Sequence, residues 1–288
     1  MSGQRIADLL SEGMTALKGA GIEAPAREAR LLLGLAAQVP PTIMIGFPER
    51  SVPQDAADAY RALVARRVGR EPLSHLLGRR EFWSRPFLVT RDVLDPRPDS
   101  ETLIEAVLEE IVDRQRPLRV LDFGVGSGCL LLTLLAELPA AIGWGVDLSA
   151  AALAIAERNA DMLGLASRVT WRQGSWRAAL TPEDPGSFDL IVSNPPYIRR
   201  DDIPGLAPEV TRHEPLLALD GGADGLDAYR QLAPKIAGLL APDGLVALEI
   251  GLGQGESVRA LMTQAGLTPA GSAFDLANRE RCLLFRKS

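Results

Sequence analysis

Val120-Leu121-Asp122-Phe123-Gly124-Val125-Gly126-Ser127-Gly128 is the stretch that decides the fold. Its first residues form an apolar run of strand type, its three glycines make a turn, and Cys129 with Leu130–Leu138 continues as a helix. A strand entering a glycine-rich turn and then a helix lets backbone approach a ligand closely, and the first helical turn presents unpaired N–H groups to it. One strand later, Gly145-Val146-Asp147 places a carboxylate at a strand end about 20 residues on, where it suits the two hydroxyls of a ribose. Glycine turns are common, so the turn alone is weak evidence; Asp147 strengthens it. The spacing is G-x-G-x-G, not the G-x-G-x-x-G of a dinucleotide binder, and Asp122 stands two residues before the first glycine. A carboxylate there repels a pyrophosphate and suits a cationic amino-acid tail, which favours S-adenosylmethionine over a nicotinamide cofactor.

On either side of this stretch the pattern repeats. Leu118–Phe123, Ile142–Val146, Val169–Arg172, Phe188–Ser193, Leu245–Ile250 and Cys282–Phe285 read as strands. Helical segments lie at 130–138, 150–163, 229–240 and 256–265. Near-continuous apolar strands between helices indicate a mostly parallel sheet covered on both faces. Residues 1–80 differ: Ile6, Leu9, Leu10 and Leu17, then Leu31–Leu35, then Ala59, Leu63 and Val64 recur at helical spacing, with breaks at Gly19-Ala20-Gly21, Pro40-Pro41 and Pro48/Pro53. Three parts are therefore expected: a helical domain over 1–80, a hairpin-like connector over 81–98 and an α/β domain over 99–288.

Phe188–Ser193 runs into Asn194-Pro195-Pro196-Tyr197. Two prolines after a strand stiffen the backbone in an extended form. From such a loop the Asn194 side-chain oxygen and the Pro195 carbonyl can accept hydrogen bonds from one planar –NH2 group while the Tyr197 ring packs on its face. Methyl transfer to a delocalised nitrogen needs that hold, because the nitrogen must lie in line with the breaking bond and its developing charge must meet acceptors.

Composition limits the alternatives. At 47% hydrophobic and 24% charged, the 288 residues suffice for a sizeable core, which excludes a disordered chain. The net charge of −6 does not advertise a polyanionic partner. Residues 1–80 carry 11 Lys and Arg against 8 Asp and Glu, so a weakly basic face is expected there, with Arg66, Arg67 and Arg70 as candidates to meet a substrate. Cys129 and Cys282 make no disulfide framework, and His75 and His213 have no companions at metal-ligand spacing, so no metal is expected and a reducing cytoplasm fits. Neither a signal peptide nor a membrane span is read in the chain. Cys129 reads as a packed thiol and Arg199-Arg200-Asp201-Asp202 as a solvated loop.

Taken together these motifs resemble the class I S-adenosylmethionine-dependent methyltransferases, and more narrowly the HemK/PrmC family of release factor glutamine methyltransferases. The resemblance also includes Pro96-Arg97-Pro98-Asp99, Asn159-Ala160, Ser175-Trp176, Glu214-Pro215, Asp224-Gly225-Leu226, Leu248-Glu249-Ile250-Gly251 and Gln254-Gly255. It implies a Rossmann-like, mostly parallel seven-stranded sheet behind a small helical domain that recognises substrate. It also implies cofactor contacts at Asp122, Gly124, Val125, Gly126, Ser127, Gly128, Asp147, Trp176 and Asn194, and acceptor contacts at Asn194, Pro195, Pro196 and Tyr197. The implied substrate is the glutamine of a Gly-Gly-Gln loop in peptide chain release factors, methylated at N5, with no direct nucleic-acid partner. Asp95, where an apolar residue is usual, Ser100 in place of threonine, and Phe123 are the departures. An adenine-N6 methyltransferase acting on nucleic acid shares the Asn-Pro-Pro-Tyr element and is the alternative. A cofactor-binding module without turnover and a nicotinamide dehydrogenase are weaker ones.

Overall fold

The computed structural model describes residues 3–287, which divide into two compact units. The first comprises residues up to Gly78 together with Ala207–His213. Its helices are α1 (Ile6–Gly19), α2 (Pro25–Ala37), α3 (Pro41–Gly46), α4 (Gln54–Val68) and α5 (Leu73–Leu77). Two-residue strands β1 (Gln4–Arg5) and β2 (Ser51–Val52), which periodicity does not reveal, pair antiparallel and hold the chain entry beside the α3–α4 connection. Leu9, Leu17, Leu32, Leu33, Ala57 and Tyr60 bury the helices' apolar faces together. The basic face expected here is not free. Arg67 is buried and donates to Glu28 at 2.6 Å and Glu209 at 2.9 Å, Arg70 donates to Glu209 at 3.1 Å, and Arg66 pairs with Glu71. A buried guanidinium needs such partners to offset desolvation, so the Arg67 charge serves the unit's own interior, while Arg66 stays exposed in its pair.

In the second unit the chain starts with a hairpin, β3 (Arg79–Phe82) and β4 (Arg85–Leu88), whose two-residue turn Trp83-Ser84 has φ of 50° and 57°. Both values are those of a type I′ turn, which matches strand twist. After α6 (Glu101–Glu110) strand and helix alternate through β5 (Arg119–Phe123), α7 (Cys129–Glu137), β6 (Ile142–Asp147), α8 (Ala150–Met162) and β7 (Val169–Gln173), and β8 (Phe188–Ser193) then follows with only a short 3-10 turn at Trp176–Ala179 between. A short helix α9 (Pro208–His213) follows, and it groups with the first unit although the sequence reading left it inside the α/β part. Then come α10 (Asp227–Leu239), β9 (Leu240–Glu249), α11 (Gly255–Gln264), β10 (Leu267–Phe274) and β11 (Glu280–Lys287).

These strands form one seven-stranded sheet in the order β10-β11-β9-β8-β5-β6-β7, in which β11 alone runs opposite to the rest, antiparallel to both its neighbours β9 and β10. This is the Rossmann-like methyltransferase sheet that the sequence reading expects. β10 has no counterpart among the strand runs read from the sequence, because its side chains are largely exposed or half-buried and it carries Pro269 and Gly271. Alternate residues of each central strand go to opposite faces. Val120, Leu190, Val192 and Ala247 pack under α6, α7 and α8, whereas Leu121, Ile191, Val246 and Leu248 pack under α10 and α11. Burial on both faces is why the strand runs read as continuously apolar. From β5 the chain winds outward through β6 and β7 and then returns to β8, so the order reverses between β5 and β8, and the carboxyl ends of those strands open a crevice. Among the described residues no helix is long and apolar enough to cross a membrane.

Candidate active site

Everything singled out around the glycine turn and the Asn-Pro-Pro-Tyr segment stems from that reversal. The Ser193 hydroxyl donates to the Phe123 carbonyl at 2.6 Å, so the last residues of β8 and β5 are tied to each other where the two loops begin. The glycine turn is anchored to the next strand: the Gly124 and Val125 amides both donate to the Val146 carbonyl, at 2.8 and 3.0 Å. The Asp147 carboxylate accepts from the Gly126 amide at 2.9 Å and the Ser149 amide at 2.8 Å. Asp147 thus shapes the turn as well as facing the cavity, a task its spacing alone does not reveal. Buried Asn159, on α8, donates to the carbonyls of Ser127 (2.8 Å) and Leu88 (3.0 Å) and accepts from the Leu88 amide (2.7 Å), stapling turn and hairpin together.

A cavity of about 580 Å³ opens over the turn. Of the residues anticipated from sequence, Gly124, Val125, Gly126, Ser127, Asp147, Trp176, Asn194 and Pro196 line it, whereas Asp122, Gly128, Pro195 and Tyr197 do not. Gly128 packs inward, toward Leu132 and Ala156. Trp176 has φ of 50°, sets its ring edge-on to Phe123 at 6.1 Å, and donates its indole N–H to Gln231 at 2.9 Å, which fixes one wall. Arg97, also in the lining, is held by both oxygens of the buried Glu214 carboxyl, at 2.6 and 2.7 Å. Burial raises the pKa of Glu214, and Arg97 works against that rise.

Asn194 donates from Nδ2 to the buried Ser100 hydroxyl at 3.3 Å, which leaves its Oδ1 as the acceptor. The Tyr197 hydroxyl donates to Glu249 Oε1 at 3.1 Å, and burial beside that carboxyl pushes the phenol well above its ordinary pKa. Gln254 clamps the segment from behind: its Nε2 donates to the carbonyls of Tyr197 (2.9 Å) and Gly225 (3.2 Å), and its Oε1 accepts from the Gly251 amide (2.9 Å). The resemblance brought Glu249 and Gln254 to notice only as parts of motifs; their tasks arise from contacts 52 and 57 residues away in the chain.

The residues present fit S-adenosylmethionine. Gly124 and Gly126 have φ of 75° and 54°, and a Cβ on either would meet no heavy atom within 4 Å, so the space in front of them is open to a ligand. Asp122, beneath the turn, is 1% exposed and neither carboxylate oxygen completes a hydrogen bond, leaving an acidic group unspent within the protein. Burial first, and the Asp147 carboxylate second, push its pKa up to about 8, against a weak pull from the Leu131 amide. Cys129 lies in the lining, yet burial raises its thiol to about 12, so it stays protonated.

Comparison with known proteins gives the same direction. A family model described as PrmC N-terminal domain matches residues 8–78, and one described as Methyltransferase domain matches residues 120–214. The release factor glutamine methyltransferase of Rhodospirillum rubrum is 48% identical over 279 residues, which span 97% of this chain and 84% of that protein. Its counterpart from Cereibacter sphaeroides is 46% identical over 98% of each chain. Among solved structures, the ribosomal protein L11 methylase of Lactobacillus delbrueckii shares the fold, with a TM-score of 0.50 at 21% identity over 68% of this chain and 81% of that one.

Proposed function

The chain belongs to the family of release factor glutamine methyltransferases, and from that premise we infer that Asn194, Pro195 and Tyr197 hold the side-chain amide of a glutamine for methylation at N5. The substrate in this reading is the glutamine of the Gly-Gly-Gln loop in a peptide chain release factor, and its methylation tunes translation termination. The carrying observation is that Asn194, oriented by Ser100, lines the same cavity as the open faces of Gly124 and Gly126. When bound, S-adenosylmethionine supplies an electrophilic methyl group on sulfur. Gly124–Ser127 and Asp147 form its cradle, Trp176 gives a flat wall for its adenine, and Asp122 places an acidic group beneath the turn.

An amide nitrogen is a poor nucleophile because its lone pair is delocalised. Asn194 Oδ1 and the Pro195 carbonyl accept its two N–H groups, which orients the nitrogen, and their partial charges stabilise the positive charge that grows on it during transfer. The Pro195-Pro196 pair keeps both acceptors in place at small entropic cost, and Tyr197 packs on the amide face. No strong base is needed, since the proton becomes acidic once the nitrogen is cationic. A protein substrate fits the charge distribution better than a nucleic acid. Beyond the net −6, Arg200 after the motif pairs with Asp220 at 2.9 Å and Arg199 with Asp202 at 3.9 Å, so little free basic charge remains there for phosphates. We assign the helical unit to recognition of release-factor surface away from the reacting loop, and the whole reaction to the cytoplasm.

The test is transfer of labelled methyl to purified release factor, to the factor with its loop glutamine replaced, and to duplex DNA, by wild type and Asn194→Ala. Label on intact release factor alone, lost with Asn194→Ala, is the expected result. Label on DNA, or none anywhere despite cofactor binding, overturns the substrate assignment.

A further inference from the structure

Among the described residues that line the cavity, Asp92, Asp147, Asp220 and Asp227 bring carboxylates and Arg97 alone brings a positive charge. S-adenosylmethionine ends in an amino acid, so its tail carries an ammonium and an α-carboxylate, and a carboxylate leaving water needs donors or a cation in its place. The glycine turn has little to offer it. The amides of Gly124 and Val125 go to the Val146 carbonyl, that of Gly126 to the Asp147 carboxylate and that of Gly128 to the Val125 carbonyl at 2.8 Å. Among the described residues the turn leaves unspent the Ser127 amide and the opening amides of α7, which are dipoles and not a full charge, with the acidic Asp122 beneath them.

Arg97 is placed to answer that charge. Pro96 and Pro98 flank it and stiffen its backbone. Its carbonyl accepts from the Ser100 amide at 3.1 Å and the Ser100 hydroxyl accepts from Asn194 at 3.3 Å, which brings Arg97 to the end of the cavity where Asn194 stands. A guanidinium carries five N–H groups in a rigid plane. Nη2 donates to both oxygens of buried Glu214, at 2.6 and 2.7 Å, and no described residue accepts from Nη1 or Nε. The Arg97 side chain is 36% exposed and that of Glu214 is 2% exposed, so one end of the guanidinium is anchored and the other is open.

We propose that Arg97 is the counter-ion of the cofactor's α-carboxylate: Glu214 holds one end of the guanidinium and leaves Nη1 and Nε for the carboxylate. This rests on the reading that S-adenosylmethionine fills the cavity. It divides the charges of the tail, since the acidic groups around the turn suit the ammonium and repel a carboxylate. A ligand with the same sulfonium and ammonium but no carboxylate gains nothing from Arg97.

The experiment is calorimetric titration of wild type, Arg97→Met and Arg97→Met/Glu214→Gln with S-adenosylmethionine, S-adenosylhomocysteine and decarboxylated S-adenosylmethionine. The double variant removes the buried carboxylate that Arg97→Met leaves without a partner, and so keeps the test open if the single variant fails to fold. Both variants are expected to bind S-adenosylmethionine and S-adenosylhomocysteine about ten- to hundredfold more weakly than wild type, the loss of hydrogen bonds between charged groups. Both are expected to bind the decarboxylated form at least as tightly as wild type does. Unchanged affinity for S-adenosylmethionine, or an equal loss for the decarboxylated form, overturns the proposal. Unchanged cofactor affinity with a raised KM for release factor gives Arg97 to the substrate and overturns it too. Wild type that binds none of the three ligands overturns the reading of the cavity itself, and the proposal with it.

Discussion

Replacing Gly126 by alanine separates the cradle's two burdens, backbone conformation and space for ligand. At φ of 54° an alanine is strained by about 1 kcal/mol, the ordinary cost of the left-handed region for a residue with a Cβ. The new methyl meets no protein atom within 4 Å, so the steric cost falls on whatever occupies the cavity. Overpacking a snug contact by one methyl costs about 1–3 kcal/mol, which corresponds to about ten- to hundredfold weaker S-adenosylmethionine binding. Gly128 is the control, with φ of 82° and a different neighbourhood: a Cβ there lies 3.0 Å from Leu132 Cδ1 and 3.3 Å from Ala156 Cβ, inside the protein. Gly128→Ala therefore adds core crowding to the same strain and is expected to lose about 2–3 kcal/mol of stability with cofactor affinity nearly unchanged. Urea unfolding and calorimetric titration with S-adenosylmethionine on both variants give the two quantities. Gly126→Ala binding as tightly as wild type would refute the reasoning, and so would affinity losses in the two variants that track their losses of stability.

The Asp122 carboxyl holds its proton to about pH 8 in the folded protein, whereas an unfolded chain releases it near about 4. The folded state thus binds more protons between these limits, and the cofactor-free protein is expected to lose stability as pH rises through that window. Asp122→Asn is expected to flatten the decline, read from urea midpoints between pH 5 and 8; an unchanged slope would show that other groups set it. In the hairpin, exposed Ser84 sits at φ of 57°, so Ser84→Gly is expected to stabilise the fold by about 0.5 kcal/mol, strain relief being partly offset by chain entropy, and a fall in stability would count against a strained turn.

How much was legible in advance depended on distance along the chain. The Trp83-Ser84 turn lacks the Asn-Gly signal of its type, because tertiary contacts hold it instead: the Trp83 amide donates to Glu101 at 2.7 Å and its indole N–H to Glu137 at 3.1 Å. Asp147 was read as a ribose ligand on its spacing, and the structure adds that both its oxygens are already engaged by backbone amides. Composition alone makes Arg67 and Arg70 surface charge. Their partner Glu209 lies 142 and 139 residues onward, out of reach of any local pattern.

By itself the sequence determined what depends on neighbours in the chain: the strand–turn–helix at 118–138, the alternation that makes a doubly covered parallel sheet, and the stiff Asn194-Pro195-Pro196-Tyr197 segment at the end of β8. Period, turn chemistry and proline geometry act over a few residues, so they are written in order along the chain. The tertiary structure decided which groups answer one another across the reversal at β5 and β8. Ser193 ties to Phe123, Ser100 turns Asn194, Glu249 anchors Tyr197, and Asp122 is left buried without a hydrogen bond. Hydrogen bonds and burial depend on distance in space, and only the folded sheet sets that distance.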